Sequence, residues 1–508
     1  MTSPRSAAII LATCLSLLFL GSCRPARMSS FVRTGESIRA VAAASGKPSH
    51  IRLTHTAAAE AMAEYRIRPS STVTGHRALT LADCRALALA NSLDIQQARL
   101  EEAAKNALKH AARVKMLPHV SISGDVEERD NQSYSFSEVL GREGSSPLPG
   151  SSGEGVNQYS TGRDRGKSRW ILETKWSPTE AALAYYLYRS GGNDERKKHY
   201  ARVRTAQRLV GVVDASFARL LGLRAAMPIA GRLLDIRRDV ARRMKEMFDR
   251  ELVPVEDYYA SAQKLIRARR LQATLRNRAE RQRNILASAM QLSPDYCVDG
   301  GFRLVGAPDP PMVCPDVNAA EMTAVKNRPE AYVAGLDHLN SMNDLKRTII
   351  KYFPRITGFW RQTRDDDKHL YNRQWREVGL QVYIDLVAWV SNGFERQAAT
   401  KLAKKSYREI GSVALGICAE VRAASLKYSD ELDRLGAAQS ARATAEKVWS
   451  VHRKRASKGV TQRLFARQSH GDTLQEEVEA IRAAGETQAA YAELQAAMGT
   501  NYCEPFPD

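Results

Sequence analysis

The chain repeats one pattern of elements twice, and this duplication constrains its fold more than any other sequence feature. Asn91 precedes Pro118 by 27 residues in the first half, and Asn327 precedes Pro354 by the same distance in the second. Each half continues with two strand-like stretches and a very long helical stretch. Both finish with a shorter helix that ends in similar segments, at residues 286–290 and 494–498. A period of this size predicts two related structural units in one chain.

The helical stretches are long compared with those of globular domains. The sequence predicts helices over about residues 81–116 and 255–291, each of about 55 Å at a rise of 1.5 Å per residue. Longer helices are predicted over about residues 179–251 and 394–457, the first of them about 110 Å long. Such helices need a coiled-coil-like lateral partner. Gly222 and the pair at 191–192 allow a bend or break in the first long helix.

Four stretches alternate apolar and polar residues with the period of a β-strand. They lie at about residues 119–126, 168–176, 355–363 and 375–387. The pattern fits strands with one face toward lipid and the other toward water, and it also fits a half-buried soluble sheet. Tryptophans near the ends of the stretches favour the membrane interpretation, and these are Trp170, Trp176, Trp375 and Trp389. Four strands cannot close a barrel around a channel, so this interpretation requires several copies of the chain.

The N-terminus is typical of an exported protein. Arg5 precedes an apolar stretch at residues 7–20, which has the length of a signal peptide. The stretch closes at Leu-Gly-Ser-Cys23, which resembles the cleavage box of bacterial lipoproteins, where the cysteine is acylated. We therefore expect a signal peptide at residues 1–22 and a lipid-linked tail at 23–78. An ordinary signal peptide with an incidental cysteine, or a buried apolar helix, is the alternative.

Export also limits the partners of the chain. The formal net charge of +20 invites a nucleic-acid interpretation, but an exported chain is not expected to meet nucleic acid. No later run of 18 apolar residues exists, so we expect no later transmembrane helix. Any crossing of a membrane would then be made by strands of a closed barrel.

The sequence holds no motif that indicates catalysis. A nucleophile elbow, a phosphate-binding loop and zinc-ligand spacing are absent from suitable contexts, so we expect no enzyme activity, cofactor or metal. The run 365–367 of three aspartates, with Lys368 and His369, fits either a cation site or a solvated loop. Cys297 and Cys314 flank a Pro/Gly-rich segment, and an oxidising compartment permits them to pair, although spacing alone cannot fix the geometry.

These features together resemble the TolC-like outer-membrane efflux factors, in their lipoprotein branch. The similarity covers about residues 79–499 and is carried by segments 79–94, 117–124, 327–330 and 353–354. It implies a mainly α fold with membrane β structure: a long α-helical barrel, and four strands per protomer contributing to a trimeric twelve-stranded β-barrel. The first repeat would span residues 79–293, an equatorial linker 294–316 and the second repeat 317–508.

The resemblance also implies a function. Homotrimers of this kind are exit ducts of tripartite efflux or type I secretion systems, and they pass solutes without chemistry. They lie in the outer membrane with a large periplasmic portion, and they dock on a periplasmic adaptor and an inner-membrane transporter. A periplasmic coiled-coil lipoprotein that acts as adaptor or envelope scaffold is the alternative. Two departures from the expected pattern are the strongly basic composition and the long 127–167 loop.

Two turns, each between a long and a short helix, are the candidate sites for the gate or for adaptor docking. The first turn, at residues 250–257, includes Glu251, Pro254 and Asp257. The second turn, at residues 454–461, includes Arg455, Lys458 and Gly459. Ordinary helix-turn chemistry explains these residue types too, because Pro and acidic residues suit a helix start and Gly suits a helix end. In a trimer, residues 453–455 and Lys458 would form a positive ring that favours anions.

Overall fold

The computed structural model describes residues 78–131, 135–136, 159–160, 163–292, 302–313, 315–456 and 460–502. The chain divides into two units, Met1–Val73 and Thr74–Asp508, and the described residues belong to the second unit. The predicted signal peptide, the tail up to residue 77 and much of the 127–167 loop lie outside the described residues.

Apart from two short strands in the first half, the described residues form helices and strands in the same order in both halves. The first half contains β1 (Ala78–Leu79), α1 (Leu81–Asn91), α2 (Leu93–Val114), β2 (His119–Glu128), β3 (Ser135–Phe136), β4 (Tyr159–Ser160), β5 (Gly166–Trp176), α3 (Pro178–Phe248) and α4 (Val255–Ala289). The second half contains β6 (Arg303–Leu304), α5 (Val317–Asn327), α6 (Pro329–Ile350), β7 (Arg355–Asp365), β8 (Gln374–Tyr383), α7 (Leu386–Arg455) and α8 (Val460–Met498). The predicted internal duplication is therefore visible in the elements themselves.

The distance between matching elements changes once along the chain. Helices α1 and α5 begin 236 residues apart, as do α2 and α6 and the strands β2 and β7. Helices α3 and α7 begin 208 residues apart. The change falls between the paired strands, because the connection from β2 to β5 is much longer than the one from β7 to β8. The longer interior of the first repeat is thus its hairpin connection.

The predicted single helix over residues 81–116 is wrong, because the structure breaks it at Ser92. Ser92 leaves the helical conformation, with ψ at 116°, and its side chain accepts a hydrogen bond from the Ile95 N–H as the N-cap of α2. The same break occurs in the second half at Arg328, where ψ is 126°. There the next residue, Pro329, disfavours helical geometry in the residue before it.

Each long helix lies beside shorter helices that are stacked end to end. Helix α3 has 71 residues and α7 has 70, so each is about 105 Å long. Helices α1, α2 and α4 pack along α3, while α5, α6 and α8 pack along α7. Helix α3 also packs against α6 and α8, which joins the two halves. Among the described helices, none is both long enough and apolar enough to cross a membrane.

Helix α3 continues without interruption through all three glycines that suggested a bend. Gly222 does not end a helix but marks the place where α3 meets α8. A Cβ atom at Gly222 would lie 2.9 Å from the Cα atom of Gly485. The glycine therefore permits a close approach of two helices, a role that the sequence alone does not reveal.

The main core lies where the helices of the first half meet β1 and β6. Leu220, Leu233 and Leu286 are 1% exposed or less, and the parallel pair β1–β6 brings Leu79 and Leu304 into the same cluster. Helix α4 buries a seam of small and apolar residues against α3, with heptad spacing at Ser261, Ala268 and Leu275. This is the lateral coiled-coil packing that helices of such length require.

The four long strands form one antiparallel sheet in the order β2-β5-β7-β8. The fourth predicted stretch ran to residue 387, but β8 ends at Tyr383 and α7 begins at Leu386. Asp385 causes the change, because its carboxylate accepts the Ala388 N–H, at 2.9 Å, and caps the helix. Trp389 consequently lies in the first turns of a helix and not at the end of a strand.

Candidate functional site

Most of one face of the four-stranded sheet is apolar and exposed, although Gln362 and Arg376 also lie on it. On β2, Val120, Ile122 and Val126 are between 62% and 82% exposed. On β8, Val378 and Leu380 are 80% and 70% exposed. The cross-strand register places these side chains on the same face as those of Leu172 and Trp360. A sheet face of this kind is expected to meet an apolar surrounding.

The opposite face of the sheet carries ion pairs that cross the strands. The guanidinium of Arg361 on β7 bonds Glu173 on β5, with an Nη2–Oε1 distance of 2.6 Å, and Glu377 on β8, with an Nη1–Oε2 distance of 3.1 Å. Nearer the hairpin connections, Arg169 pairs with Asp365 at 2.8 Å. Acidic and basic groups therefore alternate across this face and neutralise one another.

The aspartate run at the β7–β8 connection is only partly solvated, because Asp366 and the following Lys368 are exposed while the other two aspartates are buried. Asp365 and Asp367 are 1% and 5% exposed. One carboxylate oxygen of Asp367 accepts the backbone N–H groups of Asp164 and His369, and Asp365 accepts the N–H of Asp367. These bonds use the carboxylates to fasten the two hairpin connections together. Within the described residues, no group of three or more metal-ligating side chains comes together.

The first helix turn is closed by backbone hydrogen bonds. After the end of α3, Glu251 adopts a left-handed conformation with φ at 55°. The Leu252 N–H then donates to the carbonyl oxygen of Met247, and the Glu251 N–H donates to that of Phe248, each at 2.8 Å. This is the usual geometry of a helix C-terminus, with Glu at the position that Gly normally occupies.

Helix α4 starts directly after this turn. Pro254 is the N-cap of α4, with φ at −63° and ψ at 153°, and so precedes the first helical turn. Glu256 and Asp257 lie in that first turn, as predicted. Their negative charge there interacts favourably with the positive end of the helix dipole. The ring of Tyr258 stacks on Phe248, with centroids 5.1 Å apart, and ties α4 to α3.

The second helix turn is basic at the end of α7. The helix ends at Arg455, and its last turn holds His452, Arg453, Lys454 and Arg455. Positive charge at a helix C-terminus is stabilised by the helix dipole. Lys458 and Gly459 lie outside the described residues, and α8 begins at Val460.

The two turns lie at the same end of the molecule. Val240 and Met244 of α3 pack with Leu464 of α8 in one small apolar cluster. The carboxylate of Asp239 on α3 forms ion pairs with Arg242, at 2.7 Å, and with Arg467 of α8. The end of α3 before the first turn and the start of α8 after the second turn therefore lie side by side at one tip of the helical region.

An aromatic contact near the second turn was not identified from the sequence. The His470 ring of α8 stacks on Trp449 of α7, with centroids 4.5 Å apart, and the guanidinium of Arg453 lies 5.6 Å from the Trp449 ring. Burial lowers the pKa of His470, and the nearby positive charges of Arg232 and Arg453 lower it further. This histidine therefore joins the two helices that form the turn.

Cys23, Cys297 and Cys314 lie outside the described residues. Among the described cysteines, Cys84 is buried and Cys418 is half-buried, and both are free thiols. Burial, with the negative charges of Asp83 and Asp214, raises the pKa of Cys84 to about 12. Acylation of Cys23 and the Cys297–Cys314 bridge stay predictions.

No protein-family model and no curated protein sequence matches the chain, but solved structures do. The outer-membrane channel OprN has a TM-score of 0.63 and 15% sequence identity, over 82% of this chain and 89% of that chain. The outer membrane protein VceC of Vibrio cholerae has a TM-score of 0.63 and 12% identity, over 82% and 96%. The CmeC outer membrane channel of Campylobacter jejuni has a TM-score of 0.63 and 12% identity, over 83% and 86%. The chain has the fold of an outer-membrane channel.

This finding confirms the predicted fold class, a mainly helical chain with four long strands. It also confirms the resemblance to TolC-like outer-membrane efflux factors at the level of the fold.

Proposed function

We propose that the chain is the outer-membrane exit duct of a tripartite efflux or type I secretion system, and that it passes solutes without chemistry. The observation that carries this proposal is the sheet with one exposed apolar face and one face of paired charges. The strands have 10 or 11 residues, which suits the roughly 9–11 residues that a tilted strand needs to cross a bilayer. The apolar face would then meet lipid and the charged face would line the water.

A homotrimer would complete the barrel. Strands β2 and β8 are the two edges of the described sheet, and each has 10 residues with open backbone groups. The β8 edge of one copy would pair with the β2 edge of the next, and three copies would close a ring of twelve strands. The helices would extend into the periplasm, and acylation of Cys23 would add a lipid anchor. The repeats would occupy residues 79–293 and 317–508, joined by the linker 294–316.

A matched pair of variants tests the membrane-spanning sheet. Leu380 lies on the apolar face of β8, and its neighbour Gln381 lies on the other face. Leu380→Lys places a charge in lipid, at a cost of about 2–4 kcal/mol at the bilayer midplane, and should reduce insertion into planar bilayers. Gln381→Lys should insert and conduct as the unaltered protein does.

Two results would contradict the proposal. Equal insertion of Leu380→Lys and Gln381→Lys into planar bilayers would show that the apolar face of the sheet does not meet lipid. Extraction of the protein as an elongated monomer that never conducts would favour the periplasmic adaptor or scaffold instead.

We further propose that the tip formed by the two helix turns gates the duct and meets the periplasmic adaptor of an inner-membrane transporter. The proposed residues are Glu251, Pro254, Asp257, Arg455, Lys458 and Gly459. In a trimer, the basic ends of the three copies of α7 would line the mouth of the duct. Their positive charge would raise the local concentration of anions. Single-channel reversal potentials should show anion preference, reduced by Arg455→Glu and Lys458→Glu. Cation preference that neither variant changes would exclude the positive ring.

A further inference from the structure

Three arginines from three different elements lie close to one buried phenylalanine. Arg224 of α3 donates from Nη2 to the carbonyl oxygen of Phe302, at 3.0 Å. The guanidinium carbon of Arg283 on α4 lies 5.8 Å from the centroid of the Phe302 ring, which is 1% exposed. Arg303 of β6 follows Phe302 in the chain. Burial, and then the charges of Arg283 and Arg303, lower the pKa of Arg224.

Among the described residues, no acidic side chain pairs with this cluster of positive charge. None of the three guanidinium groups forms an ion pair, although most other half-buried arginines of the helices do. The Nε and Nη2 atoms of Arg283 are buried and lack any hydrogen-bond partner. Buried donors of a charged group are almost always satisfied, because leaving them unpaired is costly.

The two unpartnered nitrogen atoms of Arg283 indicate the shape of a group that could bind to them. In the same protein, Arg85 uses its Nε and Nη2 atoms to bind both carboxylate oxygens of Asp214, each at 2.7 Å. These two nitrogens form one edge of the guanidinium, and this edge matches a group with two neighbouring oxygens. Arg283 presents the same edge with nothing bound to it.

We propose that Arg283, supported by the charges of Arg224 and Arg303, binds a small oxyanion with two acceptor oxygens, of the phosphate or carboxylate class. The anion would accept both N–H groups of Arg283 and neutralise part of the cluster. Because the arginines come from α3, α4 and β6, the bound anion would brace the point where the main core meets the short strands. The proposal does not depend on the proposed transport function.

The test uses the full-length protein in detergent, with thermal unfolding followed in sodium phosphate, sodium acetate and sodium chloride at matched ionic strength. Phosphate, acetate or both should raise the unfolding temperature in a saturable manner, and chloride should not. Comparison of the first two salts identifies the class of anion. Arg283→Gln should weaken the affinity at least about tenfold, since it removes two charge-assisted hydrogen bonds.

Two further variants make the result specific. Arg283→Met should unfold at a higher temperature than the unaltered protein in chloride, because two buried N–H groups without a partner are gone, and it should not respond to oxyanions. Arg278→Gln is the matched control, since Arg278 lies on the exposed side of the same helix, and it should keep the full response.

Three outcomes would overturn the proposal. The first is the absence of a saturable response of the unaltered protein to either oxyanion. Loss of the response in Arg278→Gln to the same extent as in Arg283→Gln would indicate an adventitious ion only. If Asp295→Asn or Asp299→Asn lowers the unfolding temperature while oxyanions have no effect, the counter-charge is a carboxylate of the chain itself.

Discussion

Replacement of Gly222 by alanine should push α3 away from Gly485 of α8 and so change the stability of the protein. The two glycines face each other where α3 crosses α8. A Cβ atom at Gly222 would lie 2.9 Å from the Gly485 Cα and 3.3 Å from the carbonyl oxygen of Ile481. Ordinary contacts between carbon atoms are about 3.5–4.0 Å. Gly222→Ala therefore requires the two helices to move apart by about half an ångström or more.

Two opposed contributions decide whether Gly222→Ala raises or lowers the free energy of unfolding. Alanine in place of glycine in a helix favours folding by about 1 kcal/mol. Overpacking of a close contact costs about 1–3 kcal/mol. Gly231 lies in the same helix, and a Cβ atom there would meet nothing within 4 Å. Gly231→Ala should thus stabilise the protein by about 0.5–1 kcal/mol, and Gly222→Ala should be about 1–3 kcal/mol less stable than that control.

The comparison isolates the clash because the gain in helix propensity is common to both variants. Urea unfolding of the full-length protein, at one protein concentration and followed by the helical circular dichroism signal, gives the two free energies of unfolding. Gly485→Ala should behave like Gly222→Ala, since its Cβ would lie 3.0 Å from the Gly222 Cα. A Gly222→Ala protein as stable as the Gly231→Ala protein would refute the reasoning.

Three other predictions follow from single residues. Glu251→Gly should stabilise the protein by about 0.5–1 kcal/mol in urea unfolding, because Glu251 occupies the left-handed region, whereas Asp249→Gly, at a right-handed position, should destabilise it. The lowered pKa of His470 means that the unfolded state binds more protons, so stability is lost as pH falls below the ordinary value of 6.5. His470→Phe should reduce this loss in thermal unfolding across pH, and an unchanged pH profile would exclude His470 as its source. Cys84, with a pKa of about 12, should resist alkylation at neutral pH in the folded protein, while half-buried Cys418 reacts, as mass spectrometry of labelled peptides would report.

Local patterns predicted the elements well but not the points where they end. The alternation at Val378, Leu380 and Val382 indicates a strand, and the strand is there. Ile384 continues the same alternation, yet the carboxylate of Asp385 caps a helix at that point. Period alone cannot distinguish the last strand residues from the first turn of a helix, because one capping hydrogen bond decides between them.

Contacts between distant residues could not be predicted from one sequence. Arg361 and Glu173 pair across strands that are 188 residues apart in the chain, so the pairing requires the register of β5 and β7. The stack of Trp449 on His470 depends likewise on the relative height of α7 and α8. The start of α4 could be predicted because turn chemistry is local: Asp257 and Glu256 suit a helix start wherever it is placed.

The near-equal lengths of α3 and α7, 71 and 70 residues, limit how such a chain can change in evolution. Deleting one heptad from α3 alone would withdraw its turn by about 10 Å from that of α7 and would shift every layer of the seam with α4. A shorter or longer descendant must therefore lose or gain whole heptads at the same level in all its neighbouring helices. The length of the helical region can therefore change in evolution only if both halves of the gene change together.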